Sequence, residues 1–397
     1  MKLLILTTAS LSEHTGPQAR LLFELQELTK LNEISIICLG VSKDDLVTQK
    51  KYPEISFSHF PLIYDGWNVV NVNELISFIE KRFKYSSYDL IILQMEIWDL
   101  MRELGNHFKG KLRFATIIHA MPFLTSPISP TKNFFNDVLG YANSGVSQYR
   151  KEYILKHFLE TETVLNNISV ISNNKTVDFY IKNYFPNVTT WTQSHSLNSI
   201  VKKLVYNRSP LYDFVYVARM EKGKGVEYLL EILKETSILL NRKVSLALAG
   251  KIVDQFSENE LSKLLRLTQS SDFAEVTFLG WANENEKRRI FSNSAVFIYP
   301  SHYDNNPTVL LEALSYGLPC VVWDVCYARI YYESSSLVSL VPLFDTNKFA
   351  KTVVNSFLNR ASTFDQSTSY IKLLDSAEIA AKKDTQIFNS IIMSKVL

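Results

Sequence analysis

Four charged side chains in the second half of the chain have the types and spacing to handle a phosphorylated, hydroxyl-rich ligand. Asp304 lies in a loop and Glu312 one turn into a helix, with seven residues between them. Either carboxylate can accept hydrogen bonds from vicinal hydroxyls. The intervening segment 306–309 (NPTV) reads as a helix start, with Asn306 as the cap and Pro307 in the first helical position. The backbone N–H groups of Thr308 and Val309 would then point out of a helix N-terminus, where an anion is favoured. Arg219 and Lys224, in the run RMEKGKG, place fixed positive charge at a glycine-rich turn. Such cations can neutralise a departing diphosphate without a metal ion.

These groups need rigid elements to hold them. Residues 295–299 (AVFIY) form a short apolar run of the kind found in buried parallel strands, and Pro300 ends it. The helix after Pro307 carries Leu310, Leu311, Ala313 and Leu314 and stops at Gly317, with Pro319 beyond. Residues 320–323 are apolar again. Earlier, 213–218 (DFVYVA) predicts the strand leading into Arg219, and Val226, Leu229, Leu230 and Ile232 predict the helix after Gly225. Strands at 244–249 and 275–279 end at Gly250 and at Gly280-Trp281, and a helix is expected over 283–291.

The first half shows the same alternation. Strands are predicted at 2–7, 34–39, 89–93, 113–118 and 168–172, and helices at 72–83 and 173–185. Leu21, Leu22, Leu25 and Leu28 mark a helix after a loop that holds Gly16. The strand at 113–118 runs straight into His119, at the carboxyl end where α/β sheets bind ligands. A last strand at 336–341 and helices at 347–358 and 377–393 close the chain. Alternating strands and helices predict an α/β fold with parallel sheets.

The segment from Asp304 to Pro319 resembles the signature of retaining nucleotide-sugar glycosyltransferases with the GT-B fold. Their pattern is an acidic residue, seven others, then Glu-Ala-x-x-x-Gly-x-Pro, here Asp304, Glu312, Ala313, Gly317 and Pro319. Asp304 departs from the usual Glu, which keeps the charge and shortens the reach by one methylene. Arg219, Lys224 and Gly225 resemble the family's Arg-x-x-x-x-Lys-Gly segment. The resemblance implies two Rossmann-like domains facing each other across a cleft, and a sugar moved to an acceptor hydroxyl with no metal or cofactor. It implies donor contacts at Gly16, Gly250, Gly280, Trp281, Asn306, Pro307, Thr308 and Val309. It also implies that Arg219 and Lys224 neutralise the diphosphate, Glu312 binds ribose hydroxyls, Asp304 binds the transferred sugar, and His119 lines the sugar site from the first domain.

Composition sets the remaining expectations. At 397 residues the chain exceeds one ordinary core, so we expect domains over 1–200 and 201–376, with the helix at 377–397 crossing back to the first. A formal net charge of +2 gives no case for nucleic acid. Three cysteines, Cys38, Cys320 and Cys326, suit reduced thiols rather than a disulfide framework. No apolar stretch reaches transmembrane length, so a cytoplasmic protein is expected. Residues 122–130 form a proline-punctuated loop, read as an acceptor-side flap. Residues 143–210 carry 8 Lys/Arg against 4 Asp/Glu, a composition that would suit a lipid-linked acceptor at an anionic membrane surface, or simply a solvated helix face. Carbohydrate and glycoprotein acceptors fit as well.

Other chemistries fail on spacing. No Gly-x-Gly-x-x-Gly follows a strand, no Ser or Thr follows the lysine of the GKG run, no two aspartates sit two apart, and the histidines are scattered. A catalytically idle binding subunit and a sugar-nucleotide epimerase stay open beside the transferase.

Overall fold

The computed structural model describes residues 1–7, 16–40, 50, 52–66, 68–94, 97–119, 160–193, 207–302, 304, 306–362, 364 and 376–394. The loop at 122–130, and residues 143–159 and 194–206 of the basic stretch, lie outside these. The chain divides into two compact units.

The first unit begins with β1 (Lys2–Thr7), whose last five residues are buried. It continues through α1 (Gly16–Leu31), β2 (Glu33–Cys38), β3 (Ser56–His59) and a small hairpin of β4 (Tyr64–Asp65) and β5 (Asn68–Val69). Then follow α2 (Val72–Phe83), β6 (Leu90–Leu93), α3 (Trp98–Phe108), β7 (Phe114–Ile118), α4 (Thr161–Asn166), β8 (Ser169–Ser172), α5 (Lys175–Tyr184) and β9 (Thr190–Thr192). The sheet runs β3-β2-β1-β6-β7-β8-β9, and every pairing is parallel. Runs such as LIIL are apolar at every position because helices cover both faces of such a sheet.

The second unit is built the same way. Its elements are β10 (Tyr212–Val217), a 3-10 turn at Val226–Tyr228, α6 (Leu229–Leu240), β11 (Val244–Ala249), α7 (Gln255–Thr268), β12 (Ala274–Phe278) and α8 (Glu284–Ser292). After these come β13 (Ser294–Tyr299), α9 (Thr308–Ser315), β14 (Cys320–Trp323), α10 (Cys326–Tyr332), β15 (Val338–Val341) and α11 (Thr346–Leu358). The parallel sheet runs β12-β11-β10-β13-β14-β15. Strand order reverses between β10 and β13, which pair directly. In open α/β sheets, ligands bind in the crevice beyond the carboxyl ends at this reversal.

The terminal helix α12 (Ala377–Met393) belongs to the first unit. It lies on α1, and Ala381, Phe388 and Ile391 join a core with Leu21, Leu25 and Leu28. Asn32 donates to Thr385 at 3.1 Å and Gln193 to Asp384 at 2.5 Å, tying the helix to the unit by polar contacts too. Burying Phe388 and Ile391 stabilises this docking by about 1.5–3 kcal/mol each.

The elements fall close to the sequence expectation, with local corrections. Gly16, expected in a loop, is the first residue of α1. Pro307, not Asn306, caps α9: its ψ of 111° is extended, so Thr308 is the first helical residue. Cys38, Cys320 and Cys326 are buried, and no disulfide joins them. Among the described residues no helix is long and apolar enough to cross a membrane.

Candidate active site

The loop after β10 is the first wall of the site. Gly223 and Gly225 carry positive φ, 95° and 91°. Gly225 has no alternative, because a Cβ there would fall 2.0 Å from the carbonyl oxygen of Pro300. That close approach ties the loop to the end of β13. The backbone N–H of His302 donates to the Gly223 oxygen at 2.9 Å, and the Ser301 hydroxyl donates to the same atom at 3.2 Å. From below, the buried Tyr216 hydroxyl donates to the Lys224 carbonyl at 3.0 Å. At the other side, the Lys222 N–H donates to Asp254 at 2.7 Å, and Asp254 also caps α7. Burial alone would raise the Asp254 pKa, but the N–H groups of Lys222 and Ser257 outweigh it and hold the carboxyl below its usual range.

A loop clamped at four points presents one buried cation. Lys224 is only 7% exposed, and its Nζ lies 2.9 Å from Asp304 Oδ2. The Tyr299 hydroxyl donates to the same oxygen at 2.8 Å. Burial, then the facing carboxylate, pushes the Tyr299 hydroxyl well above its ordinary pKa, so it remains a donor. Arg219 sits further out, with more than half of its side chain exposed, and donates to Glu221 at 2.9 Å. Glu221 in turn lies 3.9 Å from Lys224. Two cations and two carboxylates therefore form one line, Arg219–Glu221–Lys224–Asp304, whose charges balance.

The helix α9 is the second wall. The N–H groups of Thr308 and Val309 belong to its first turn, where no carbonyl of the preceding turn is available. The Asn306 N–H lies 3.4 Å from Asp304 Oδ1, which draws the loop toward the carboxylate. The far end closes by the αL route. Gly317, with φ of 75°, donates to the Leu314 oxygen and Leu318 to the Ala313 oxygen. Glu312, on the second turn, does not join the line of charges. Instead, Lys287 of α8 donates to both its oxygens, at 2.9 and 3.0 Å.

The remaining predicted positions fall at neighbouring strand ends. The Gly250 N–H donates to the Gly280 oxygen at 2.7 Å, so the loops after β11 and β12 are joined backbone to backbone. Trp281 follows, 59% exposed. His302 sits among Tyr228 and Phe344, with ring centroids 6.1 and 5.3 Å away. Burial, and then the charges of Lys222 and Lys224, lower its pKa. Gly16 and His119 belong to the first unit, where His119 follows β7 and is nearly buried. Among the described residues no group of three or more His, Cys, Asp or Glu is placed to hold a metal ion.

Sequence reasoning missed Lys287, Tyr299, Glu221 and Tyr216. Tyr299 was visible only as a β-former, and Lys287 only as one of several charges on a polar helix. Their roles depend on pairings that cross from one element to another.

Residues 205–341 match the family model for glycosyl transferases group 1, a span that takes in β10 through β15. Over this segment, about a third of the chain, the sequence is similar to that family. It is 25% identical over 332 residues to an uncharacterized 41.2 kDa protein in the cps region of Klebsiella pneumoniae, covering 82% of this chain and 83% of that one. Sucrose-phosphate synthase (tll1590) from Thermosynechococcus elongatus matches with a TM-score of 0.71 at 16% identity, over 98% of this chain and 99% of that one. Anabaena Alr3699/HepE, solved in complex with UDP and glucose, matches with a TM-score of 0.70 at 13% identity, over 98% and 100%. At these identities the structural likenesses establish the fold, which is GT-B: two α/β units with parallel sheets.

Proposed function

We propose that the protein is a retaining glycosyltransferase that moves a sugar from a nucleotide-sugar donor, a UDP-sugar foremost, to an acceptor hydroxyl without a metal ion. The observation that carries this reading is the buried Lys224 at the sheet's reversal point, held by Asp304 and facing the loop that opens α9. A lysine so placed is a fixed positive charge that a phosphate oxygen can share with Asp304. On arrival of a diphosphate, Lys224 and the more exposed Arg219 turn to its oxygens, assisted by the Thr308 and Val309 amides. Asp304, released from part of its charge pairing, accepts from hydroxyls of the sugar. Glu312 accepts from the ribose, and Gly250, Gly280 and Trp281 border the base.

His119 is assigned to the transferred sugar and Gly16 to the donor. No residue is assigned as a covalent nucleophile; the departing phosphate takes the proton of the incoming hydroxyl as it attacks. The cps-region relative supports a place in polysaccharide or glycoconjugate synthesis, and the UDP and glucose held by the Anabaena protein support the donor class. The acceptor is a carbohydrate, glycoprotein or lipid-linked sugar, the last consistent with contact at the inner face of a membrane.

The test is nucleotide release from a panel of UDP-, GDP- and ADP-sugars with chelator present, using Lys224→Ala and Glu312→Ala as controls. Release from one donor, insensitive to chelator and lost in both variants, is the expected result. Nucleotide binding with no release from any donor would replace it with a binding subunit. Conversion of the donor with no acceptor and no release would replace it with an epimerase.

A further inference from the structure

The donor site contains a cation that the diphosphate does not need. Lys287 lies on α8, apart from the Arg219–Lys224 loop, and its ammonium bonds both oxygens of Glu312 and also Glu284, at 2.7 Å. Both Lys287 and Glu312 are largely buried, with side-chain exposures of 18% and 17%. We propose that Lys287 is a positioning residue for nucleotide recognition, fixing the charge and orientation of the Glu312 carboxylate so that it can read ribose hydroxyls. This rests on the donor-site reading above.

The geometry leaves Glu312 able to do both jobs. A carboxylate offers about four lone-pair sites, and Lys287 takes two, leaving two for a pair of vicinal hydroxyls. Held at both oxygens, the carboxylate cannot rotate, so its open lone pairs keep a fixed direction.

The surroundings explain why a cation is required. Burial drives Glu312 above the usual carboxylate range; Lys287 works against that, and Glu284 adds to it. Lys287 itself is discouraged from charging by burial, but Glu312 and Glu284 outweigh this and raise its pKa. Tyr316 and Arg288 bond each other nearby, and the Ser315 hydroxyl donates to the Glu312 carbonyl at 2.7 Å. The strands under α9, SAVFIY and CVVW, carry no charged residue. Lys287 is therefore the cation that favours the ionised form of Glu312 against burial. Without it, Glu312 would take up a proton at higher pH, become a hydroxyl donor, and lose its preference for ribose.

The experiment is calorimetric titration of the full chain with UDP and with 2′,3′-dideoxy-UDP over a range of pH. Wild type, Lys287→Met and Lys287→Arg are compared, each checked for fold by circular dichroism. Wild type should prefer UDP by about tenfold or more, as a site built to bond hydroxyls rejects an analogue that lacks them. Lys287→Met should lose most of that preference, and its UDP affinity should fall off at higher pH than in wild type. Lys287→Arg should recover both. Should Lys287→Met fail to fold, Lys287→Gln, which keeps a donor without the charge, takes its place. The inference is overturned if the uncharged variant keeps the wild-type preference and pH profile, or if wild type binds UDP and dideoxy-UDP equally. Wild type that binds neither, nor GDP nor ADP, would overturn the donor-site reading and this inference with it.

Discussion

Lys224 and Asp304, eighty residues apart in sequence, meet at 2.9 Å across the point where the second sheet reverses its strand order. Both side chains are mostly buried, so each neutralises a charge that would be costly alone. Lys224→Met and Asp304→Asn should each destabilise the second unit by about 2–3 kcal/mol, because each strands the partner's charge. The double variant should cost less than the sum of the two. Urea unfolding of the four proteins checks this; strict additivity would show that the pair is uncoupled.

Tyr299 links the core to that pair through one hydroxyl. Tyr299→Phe removes the donor while keeping the ring, which stacks on Phe297 at 5.6 Å. The fold should survive with a loss of about 1–2 kcal/mol. Transfer should fall about tenfold with the KM for donor little changed, because the role proposed for Asp304 is on the sugar being moved rather than on the nucleotide. Steady-state kinetics on the released nucleotide would show a rise in KM alone if Asp304 served the nucleotide instead.

Gly225 permits no side chain. Gly225→Ala would force the loop away from Pro300 and shift Lys224 with it. Nucleotide affinity should drop about a hundredfold or more, and thermal unfolding should begin several degrees lower. Unchanged affinity would mean that the loop has room that the geometry denies.

His302 provides a pH reading. Burial and the charges of Lys222 and Lys224 hold its pKa below the usual histidine range, so the folded protein binds fewer protons than the unfolded chain does. Its contribution to stability is therefore present above the unfolded histidine pKa of about 6.5 and declines as pH falls from there toward the lower folded value. A bound diphosphate offsets the two lysines and should raise the His302 pKa, so that binding near pH 6 takes up a fraction of a proton. Calorimetry in buffers of different ionisation enthalpy measures that uptake, and His302→Gln should abolish it. Equal uptake in the variant would assign the proton elsewhere.

Much of this fold can be read in the sequence because parallel strands buried on both faces leave a simple trace. LIIL, VSLALA and CVVW can hardly be anything else, and Gly317 followed by Pro319 marks the end of α9. The α3 helix and α7 were not foreseen. In α7, the run QFSENELSKLLRLT buries only a narrow stripe, Leu261 and Leu264 with Ser257 and Thr268, so its apolar period is faint. The site was half legible. Arg219, Lys224, Asp304 and Glu312 stand at spacings that local turns and helices can interpret, whereas the grip of Lys287 on Glu312 spans 25 residues and exists only once α8 and α9 are side by side. The cap of α9 fell one residue late because Pro307 accepts an extended ψ as readily as a helical one.

The most direct measurement is a titration of the full chain with UDP in excess chelator, alongside Lys224→Ala. The account predicts saturable binding that weakens by about tenfold to a hundredfold in the variant, the loss expected for one buried charge-assisted hydrogen bond to phosphate. No binding of UDP, GDP or ADP by wild type, or equal binding by the variant, would contradict it.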